Sequence, residues 1–397
     1  MEQANTMTSH WLSNAINVVG LLLVAMMGAA VTNLMPLMVG AYSDSGHFTP
    51  TQVGWLTSAD IAGILTASVS AFFWCRRVHW RLMTLFGLVV FIFCNWLSAA
   101  VTDFTILFLI RLAAGLACGV TYAISLAALG DRGNADKAFS AMVSVQVAFG
   151  TLGFWVLPGI IDDKGLDGVF WFFNLCLLPA FLLVLLNYST NQRTSKVSTF
   201  SIDGSKRAAA LVFAGVVAYY FAQGTVWAYL ERMAVAVELT QAQAGQILGA
   251  GFAISVLGSM VSGAFAVRYG RRAALVATAL LQLPCLVALY WMVPGHAWWV
   301  YASATVVYQI MWSFVVPVMM GIFNDVDRSG RLIVLCVSAF KVGLVIGPPV
   351  AGAVVTFAEV KDVLWLGGVA IVLSMVLLDR AGQSSQKYAQ EIRRETD

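Results

Sequence analysis

The sequence predicts an all-α membrane protein, with twelve helical spans arranged as two pseudo-symmetric bundles of six. Three observations carry this. Hydrophobic residues make up 60% of the 397 and charged residues only 11%, and the mean hydropathy is +0.82, too apolar for a water-facing surface. The apolar runs reach about 20 residues or more without the alternation of a barrel strand, so each reads as a helix that satisfies its own backbone in hydrocarbon. The chain also repeats itself. Residues 48–81 align without a gap on 239–272, with identities at Thr49/Thr240, Gln52/Gln243, Gly54/Gly245, Ala62/Ala253, Ser68/Ser259, Arg77/Arg268 and Arg81/Arg272.

Taken in order, the spans are 14–41, 51–75, 80–101, 104–129, 138–161, 168–188, 207–231, 241–268, 272–293, 296–323, 330–357 and 361–379. The second and eighth have the clearest starts. Thr49-Pro50-Thr51-Gln52 and Thr240-Gln241-Ala242-Gln243 both carry the Thr-x-x-Gln form of a capping box, one with proline in the first turn. The stretch 189–206, rich in Ser, Thr, Asn and charge, is the only linker-like segment and falls between the sixth and seventh spans. The expected organisation is therefore a bundle over 1–188, a linker over 189–206, a second bundle over 207–379 and a polar tail over 380–397.

Charge distribution supports the count. Connections on one side hold Arg76, Arg77 and Arg81; Arg132 and Lys137; Arg193, Lys196, Lys206 and Arg207; Arg268, Arg271 and Arg272; Arg328 and Arg331; and Arg380, Lys387, Arg393 and Arg394 in the tail. The other side has only Lys164, Arg232 and Lys361. The positive-inside rule places the basic side, and with it both termini, in the cytosol. The first apolar run has no cleavage signature and reads as a retained span.

Several function classes are excluded at this stage. A net charge of +3 gives no polyanion-binding surface, so no nucleic-acid partner is expected. The cysteines at 75, 94, 118, 176, 285 and 336 lie within spans or at their cytosolic ends, and imply no disulfide framework. His10, His47, His79 and His296 sit at helix ends or in loops, with no metal-ligand spacing. No nucleophile–base set, phosphate loop or nucleotide fingerprint appears, so neither an enzyme nor a cofactor is expected.

Local motifs then point to a family. Gly263-Ala-Phe-Ala-Val-Arg268-Tyr-Gly270-Arg271-Arg272 follows the eighth span, and a degraded copy from Ala71 to Arg81 follows the second. Arg111-Leu-Ala-Ala-Gly115-Leu-Ala-Cys-Gly119 places an arginine and spaced glycines in the fourth span, and Gly343-Leu-Val-Ile-Gly347-Pro348-Pro349-Val-Ala-Gly352 lies in the eleventh. With the six-plus-six arrangement, these motifs resemble the major facilitator superfamily (MFS) of secondary transporters. The resemblance implies that Arg76, Arg77, Arg81, Arg268, Arg271 and Arg272 latch a cytosolic gate. In the drug antiporters of that family a Gly-Pro pair sits in the fifth span; here 150–159 lacks it. From the residues alone, glycines four apart allow close helix approach and an internal proline loosens backbone bonding. Gly115, Gly119, Gly343, Gly347, Pro348 and Gly352 thus read as packing or hinge positions.

Three charges fall inside spans: Asp60, Arg111 and Lys341. An ionised group at the bilayer centre costs at least ~2.5–3.5 kcal/mol, so each must face water or a partner. At ~1.5 Å per residue, Asp60 lies roughly 14 Å from the outer side and Lys341 roughly 16 Å from the inner side, about the same level. The family arrangement sets the second and eleventh helices side by side, which suggests an Asp60–Lys341 pair that forms in one access state and breaks in the other. Arg111 and Asn33 lie nearer the outer side at similar depth, on helices that line the cavity in the family. On the seventh span Tyr219, Gln223 and Trp227 recur every four residues, and Tyr308, Gln309 and Trp312 cluster on the tenth; aromatic walls with a few amides suit an organic molecule with a ring or apolar body. Glu231 and Arg232 are expected at the outer mouth.

The resemblance and these residues together imply a monomeric transporter of the cell inner membrane, working by proton-coupled alternating access within the lipid bilayer. Its partners would be a small organic substrate and protons. Two buried cations against one carboxylate favour an organic anion, such as an aromatic carboxylate. A proton-driven exporter of amphipathic compounds is the first alternative, and a non-transporting sensor or assembly factor on the same fold is the second.

Overall fold

The computed structural model describes residues 2–132, 135–189, 206–326 and 333–396; side chains are described from 14 onward and not for 135–136, 333–337 or 386–396. The linker expected at 189–206 lies almost wholly outside these residues, as do Arg193, Lys196, Arg328 and Arg331.

Every long element is helical: α1 Glu2–Asn33, α2 Met35–Asp44, α3 Pro50–Trp74, α4 Trp80–Ser98, α5 Phe104–Gly130, α6 Ala135–Leu186, α7 Lys206–Val235, α8 Gln241–Ile254, α9 Val256–Tyr269, α10 Arg271–Tyr290, α11 Ala297–Val326, α12 Ile333–Phe357 and α13 Val363–Thr396. Among the described residues, eleven segments are long and apolar enough to cross a bilayer, one of them 50 residues long, Lys137–Leu186. That segment holds two spans. Gly165, at φ 61° and ψ −148°, breaks α6 in a conformation that a side chain would strain, which brings the spans to the twelve expected.

Two compact units form, Met1–Phe48 with Ala59–Val197, and Thr49–Ser58 with Ser198–Asp397. The first turns of α3 thus group with the second unit, although the sequence repeat assigns them to the first half. The cause is local. Gly54 and Gly352 lack side chains where α3 meets α12: a Cβ at 54 would strike the Pro348 carbonyl, and one at 352 would strike that of Pro50. Thr51 Oγ1 and Thr356 Oγ1 close the contact at 2.9 Å.

Both expected capping boxes form. Thr49 N–H donates to Gln52 Oε1 at 2.9 Å and Gln52 N–H to Thr49 Oγ1 at 3.3 Å. The Thr240–Gln243 pair repeats this at 2.9 and 3.2 Å. Two spans are interrupted where the sequence reading drew them continuous: the first at Leu34, just before Pro36, and the eighth at Ser255. Helix also extends past the expected ends, back to Glu2 and on through Thr396. Beyond Asp379, α13 continues: Ala381 is buried, Gln383 donates to Asp379 at 2.7 Å, and Ser385 Oγ donates to the Asp325 carbonyl at 2.9 Å.

Many large apolar side chains are exposed, among them Phe72, Phe73, Leu82, Phe86, Leu175, Leu280 and Val369. Such a surface is stable only in hydrocarbon.

Candidate functional site

The first unit encloses an ion pair. Asp60 on α3 and Arg111 on α5 are both 0% exposed. Arg111 Nη2 donates to Asp60 Oδ1 at 2.6 Å and Nε to Oδ2 at 3.0 Å, a two-point contact between planar groups. Nη1 is shared between Asn95 Oδ1 at 2.7 Å and Ser98 Oγ at 3.3 Å, both on α4. Asn95 in turn donates to Asn174 Oδ1 on α6 at 3.0 Å, and Asn174 Nδ2 donates to the Ile92 carbonyl at 3.3 Å. The Phe170 ring centroid lies 5.1 Å from the guanidinium carbon and 6.4 Å from the ring of buried Tyr42, whose hydroxyl has no hydrogen-bond partner.

Glycine lets the pair form. A Cβ at Gly115 would collide with the Asp60 carbonyl, and one at Gly119 would lie 2.7 Å from Ala67 Cβ and 2.8 Å from Ile64 Cα. The two helices therefore touch backbone to backbone, close enough for the Arg111 side chain to reach Asp60. Arg111 is the partner that holds Asp60 here; the Asp60–Lys341 pair was expected in one access state only. Lys341 lies half-buried on α12. Asn33, at the break between α1 and α2, gives its amide to the Gln146 carbonyl at 3.4 Å, so the amide that serves Arg111 is Asn95. The sequence reading missed Asn95, Ser98 and Asn174; single polar residues in otherwise apolar runs are the signal that marks them.

The second unit collects uncharged polar and aromatic groups. Tyr219 on α7 is bonded to Gln282 on α10, Gln282 Nε2 lying 3.0 Å from the tyrosine oxygen and 3.1 Å from the Tyr308 carbonyl. Gln223 and Gln309 are buried, at 5% and 2% exposure. Trp227, Phe252 and Trp312 form a run of stacked rings, with centroids 6.2 and 6.3 Å apart and interplanar angles of 28° and 19°. All six side chains expected on α7 and α11 fall in this unit, and Gln282 and Phe252 join them. A glutamine two residues before Pro284 in an apolar run was the available clue to Gln282.

Gly343 and Gly347 seat α12 on α7. A Cβ at 343 would meet Phe221 N at 2.6 Å, and one at 347 would meet Gly224 Cα at 2.8 Å. Glu231, expected at a solvent mouth, is instead 1% exposed and bridged by Arg232 at 2.6 and 2.7 Å.

The loop arginines divide. Arg76 grips Asp131 with both Nη atoms, one at 2.9 Å, and lies 5.2 Å from the Trp80 ring. The hydrogen bond to Asp131 holds its guanidinium above the ordinary arginine range, whereas burial lowers Arg132. In the second unit Arg271 pairs with Asp325, and Arg272 with Asp379 at 3.4 Å. Arg81 donates to the Leu185 carbonyl. Arg77 and Arg268 are exposed, the latter over the neighbouring Tyr269 ring. Asp131 and Asp325, near the ends of α5 and α11, are partners that the sequence reading did not name.

Paired spans in two units, a charge pair sealed in one and an amide–aromatic cluster in the other define a helical membrane transporter. The sequence pattern of the Major Facilitator Superfamily matches residues 20–328 and 212–393, and the chain belongs to that family of secondary transporters, not to any class of enzyme. Among solved structures, it resembles the nucleoside transporter NupG (TM-score 0.76, 14% identity, covering 91% of this chain and 98% of that one). It also resembles a D-xylose–proton symporter (0.69, 14%, 92% and 96%) and a bacterial homolog of the human lysosomal transporter Spinster in an inward-facing, unoccupied conformation (0.71, 11%, 95% and 98%). At these identities the likeness is one of fold. A comparison with curated proteins finds no match.

Proposed function

We propose that the protein carries a small organic anion, such as an aromatic or other carboxylate, across the cell inner membrane by proton-coupled alternating access. The Asp60–Arg111 pair is the coupling element. The observation that supports this is the complete burial of both groups in a two-point contact. A buried pair is stable only while both members are ionised. Protonation of Asp60 leaves Arg111, which cannot deprotonate, without its counter-charge. A carboxylate on the solute then restores it. Proton and anion binding are thereby linked, each raising the affinity for the other.

Within the second unit, Trp227, Phe252 and Trp312 offer ring faces, and Tyr219, Gln223, Tyr308 and Gln309 offer hydrogen bonds, a lining suited to an organic ring. Gly343, Gly347, Gly352 and Pro348 form the seam along which α12 slides or bends, and the Arg76–Asp131 and Arg271–Asp325 pairs tie the loop ends on the side the basic residues assign to the cytosol. The working unit is taken as the monomer.

Proteoliposomes loaded at neutral pH and placed in acidic medium provide the test, with orotate, 4-hydroxybenzoate and tetraphenylphosphonium as probes. Accumulation of either carboxylate, abolished by an uncoupler and by Asp60→Asn, is the expected outcome. Expulsion of tetraphenylphosphonium with no carboxylate uptake would replace this reading with proton-driven export of amphipathic cations. Binding without any driven flux would favour a sensor.

A further inference from the structure

One side chain of the second-unit lining stands apart from the rest. Gln309 on α11 is 2% exposed, and neither end of its amide, Oε1 or Nε2, has a hydrogen-bond partner. Leaving both a donor and an acceptor unmatched in an enclosed site is costly, and native structures rarely do so without a reason.

The repeat supplies the reason. At the spacing that aligns 48–81 with 239–272, Asp60 falls opposite Gly251. In the first unit the residue at this place on the second span is a carboxylate, taken by Arg111 of the fourth span. In the second unit it is a glycine, and the fourth-span residue lying against it is Gln309. A Cβ built on Gly251 would sit 2.8 Å from Gln309 Nε2 and 3.4 Å from Oε1. One half keeps the internal partner; the other has lost it and kept the hydrogen-bonding group.

The surroundings indicate what replaces it. Phe252, next to Gly251, stacks on Trp312, one turn from Gln309, and on Trp227. The Tyr308 hydroxyl, Thr305 Oγ1 and Gln223 Nε2 are likewise buried without partners. None of these side chains is charged. A primary amide presents a donor and an acceptor side by side, and its natural complement is a second group with the same edge reversed. Aromatic faces add stacking for a flat ring.

We infer that this cluster binds an uncharged, planar ring-amide edge, a lactam or imide, which pairs at two points with the Gln309 amide while its face packs on the Trp227–Phe252–Trp312 rings. The site is closed in this conformation, so loading it requires α8 and α11 to part. The inference rests on reading the chain as a transporter of a ring-bearing solute, and it does not require the solute to carry a carboxylate.

Three probes separate the claims: uracil has the amide edge without a carboxylate, benzoate the carboxylate without the edge, and orotate both. Binding to the purified full-length protein is measured by calorimetry. Uracil and orotate should bind, and Gln309→Leu, which keeps the volume and removes both hydrogen-bonding atoms, should weaken uracil roughly 10- to 100-fold, the loss of a two-point contact in an enclosed site. Gly251→Ser, which gives Gln309 an internal partner, should weaken uracil as well and serves if the leucine variant folds poorly. Uracil binding unchanged in both variants, or no uracil or orotate binding to the wild type, would overturn the inference. Benzoate binding that survives in the latter case would leave the transport reading standing.

Discussion

Asp60→Leu is the substitution whose consequence the structure sets most sharply. It leaves the Arg111 guanidinium 0% exposed, with two of its hydrogen bonds gone and only Asn95 and Ser98 as neutral acceptors. Removing one member of a buried pair costs about 3–5 kcal/mol, because the remaining charge stays desolvated. Arg111→Met should cost less, since a carboxyl can neutralise itself by taking a proton and a guanidinium cannot. Its main penalty is the unmet acceptors of Asn95 and Ser98, about 1–3 kcal/mol each when nothing replaces the donor. The double variant removes both charges, so its cost should fall well short of the sum of the singles, with a coupling of at least ~1–3 kcal/mol. Reversible unfolding in mixed micelles, followed by far-ultraviolet circular dichroism, reads all three. Asp60→Leu within ~1 kcal/mol of wild type, or strictly additive singles, would refute the view that the pair is a closed electrostatic unit.

Other expectations follow from single contacts. Gly115→Ala drives a Cβ into the Asp60 carbonyl and should strongly lower the yield of monodisperse protein in detergent, whereas Gly263→Ala, with nothing within 4 Å, should be neutral or gain up to ~1 kcal/mol of helix propensity. Thr240→Ala removes the side-chain oxygen that caps α8 and should cost about 1 kcal/mol of unfolding free energy. Arg76→Lys loses the two-point contact with Asp131; this partly exposed pair is worth ~1 kcal/mol or less in stability, so a transport rate that falls while the melting temperature holds would assign it to gating.

What the sequence made legible was whatever is written in local pattern. The twelve spans, both capping boxes and the three charges inside spans all follow from hydropathy, turn residues and the rarity of charge in apolar helices. What it did not show depends on contacts between helices. Asp60 and Arg111 were both found, but their pairing needed the close approach that Gly115 permits, which no count along one helix contains. Asn95 and Asn174 are single amides whose meaning appears only when α4 and α6 bring them together. Glu231 looked like a mouth residue because it lies at a span end, yet Arg232 beside it allows its burial. The breaks at Leu34 and Ser255 were missed for the opposite reason: apolar composition runs across them, and the interruption shows only in the backbone, as off-helix angles at Leu34 and as a three-residue hydrogen bond from Gly258 N–H to the Ser255 carbonyl. The vacancy at Gly251 was visible as a break in the repeat, but its consequence needed the position of Gln309.

The claim that a proton on Asp60 and a solute anion on Arg111 bind together is tested most directly by counting protons during binding. Purified protein in weakly buffered detergent solution is mixed with 4-hydroxybenzoate or orotate, and the pH change is followed with an indicator dye. The account expects proton uptake approaching one per anion bound, absent in Asp60→Asn. Anion binding with no proton uptake in the wild type, or the same uptake in Asp60→Asn, would contradict it.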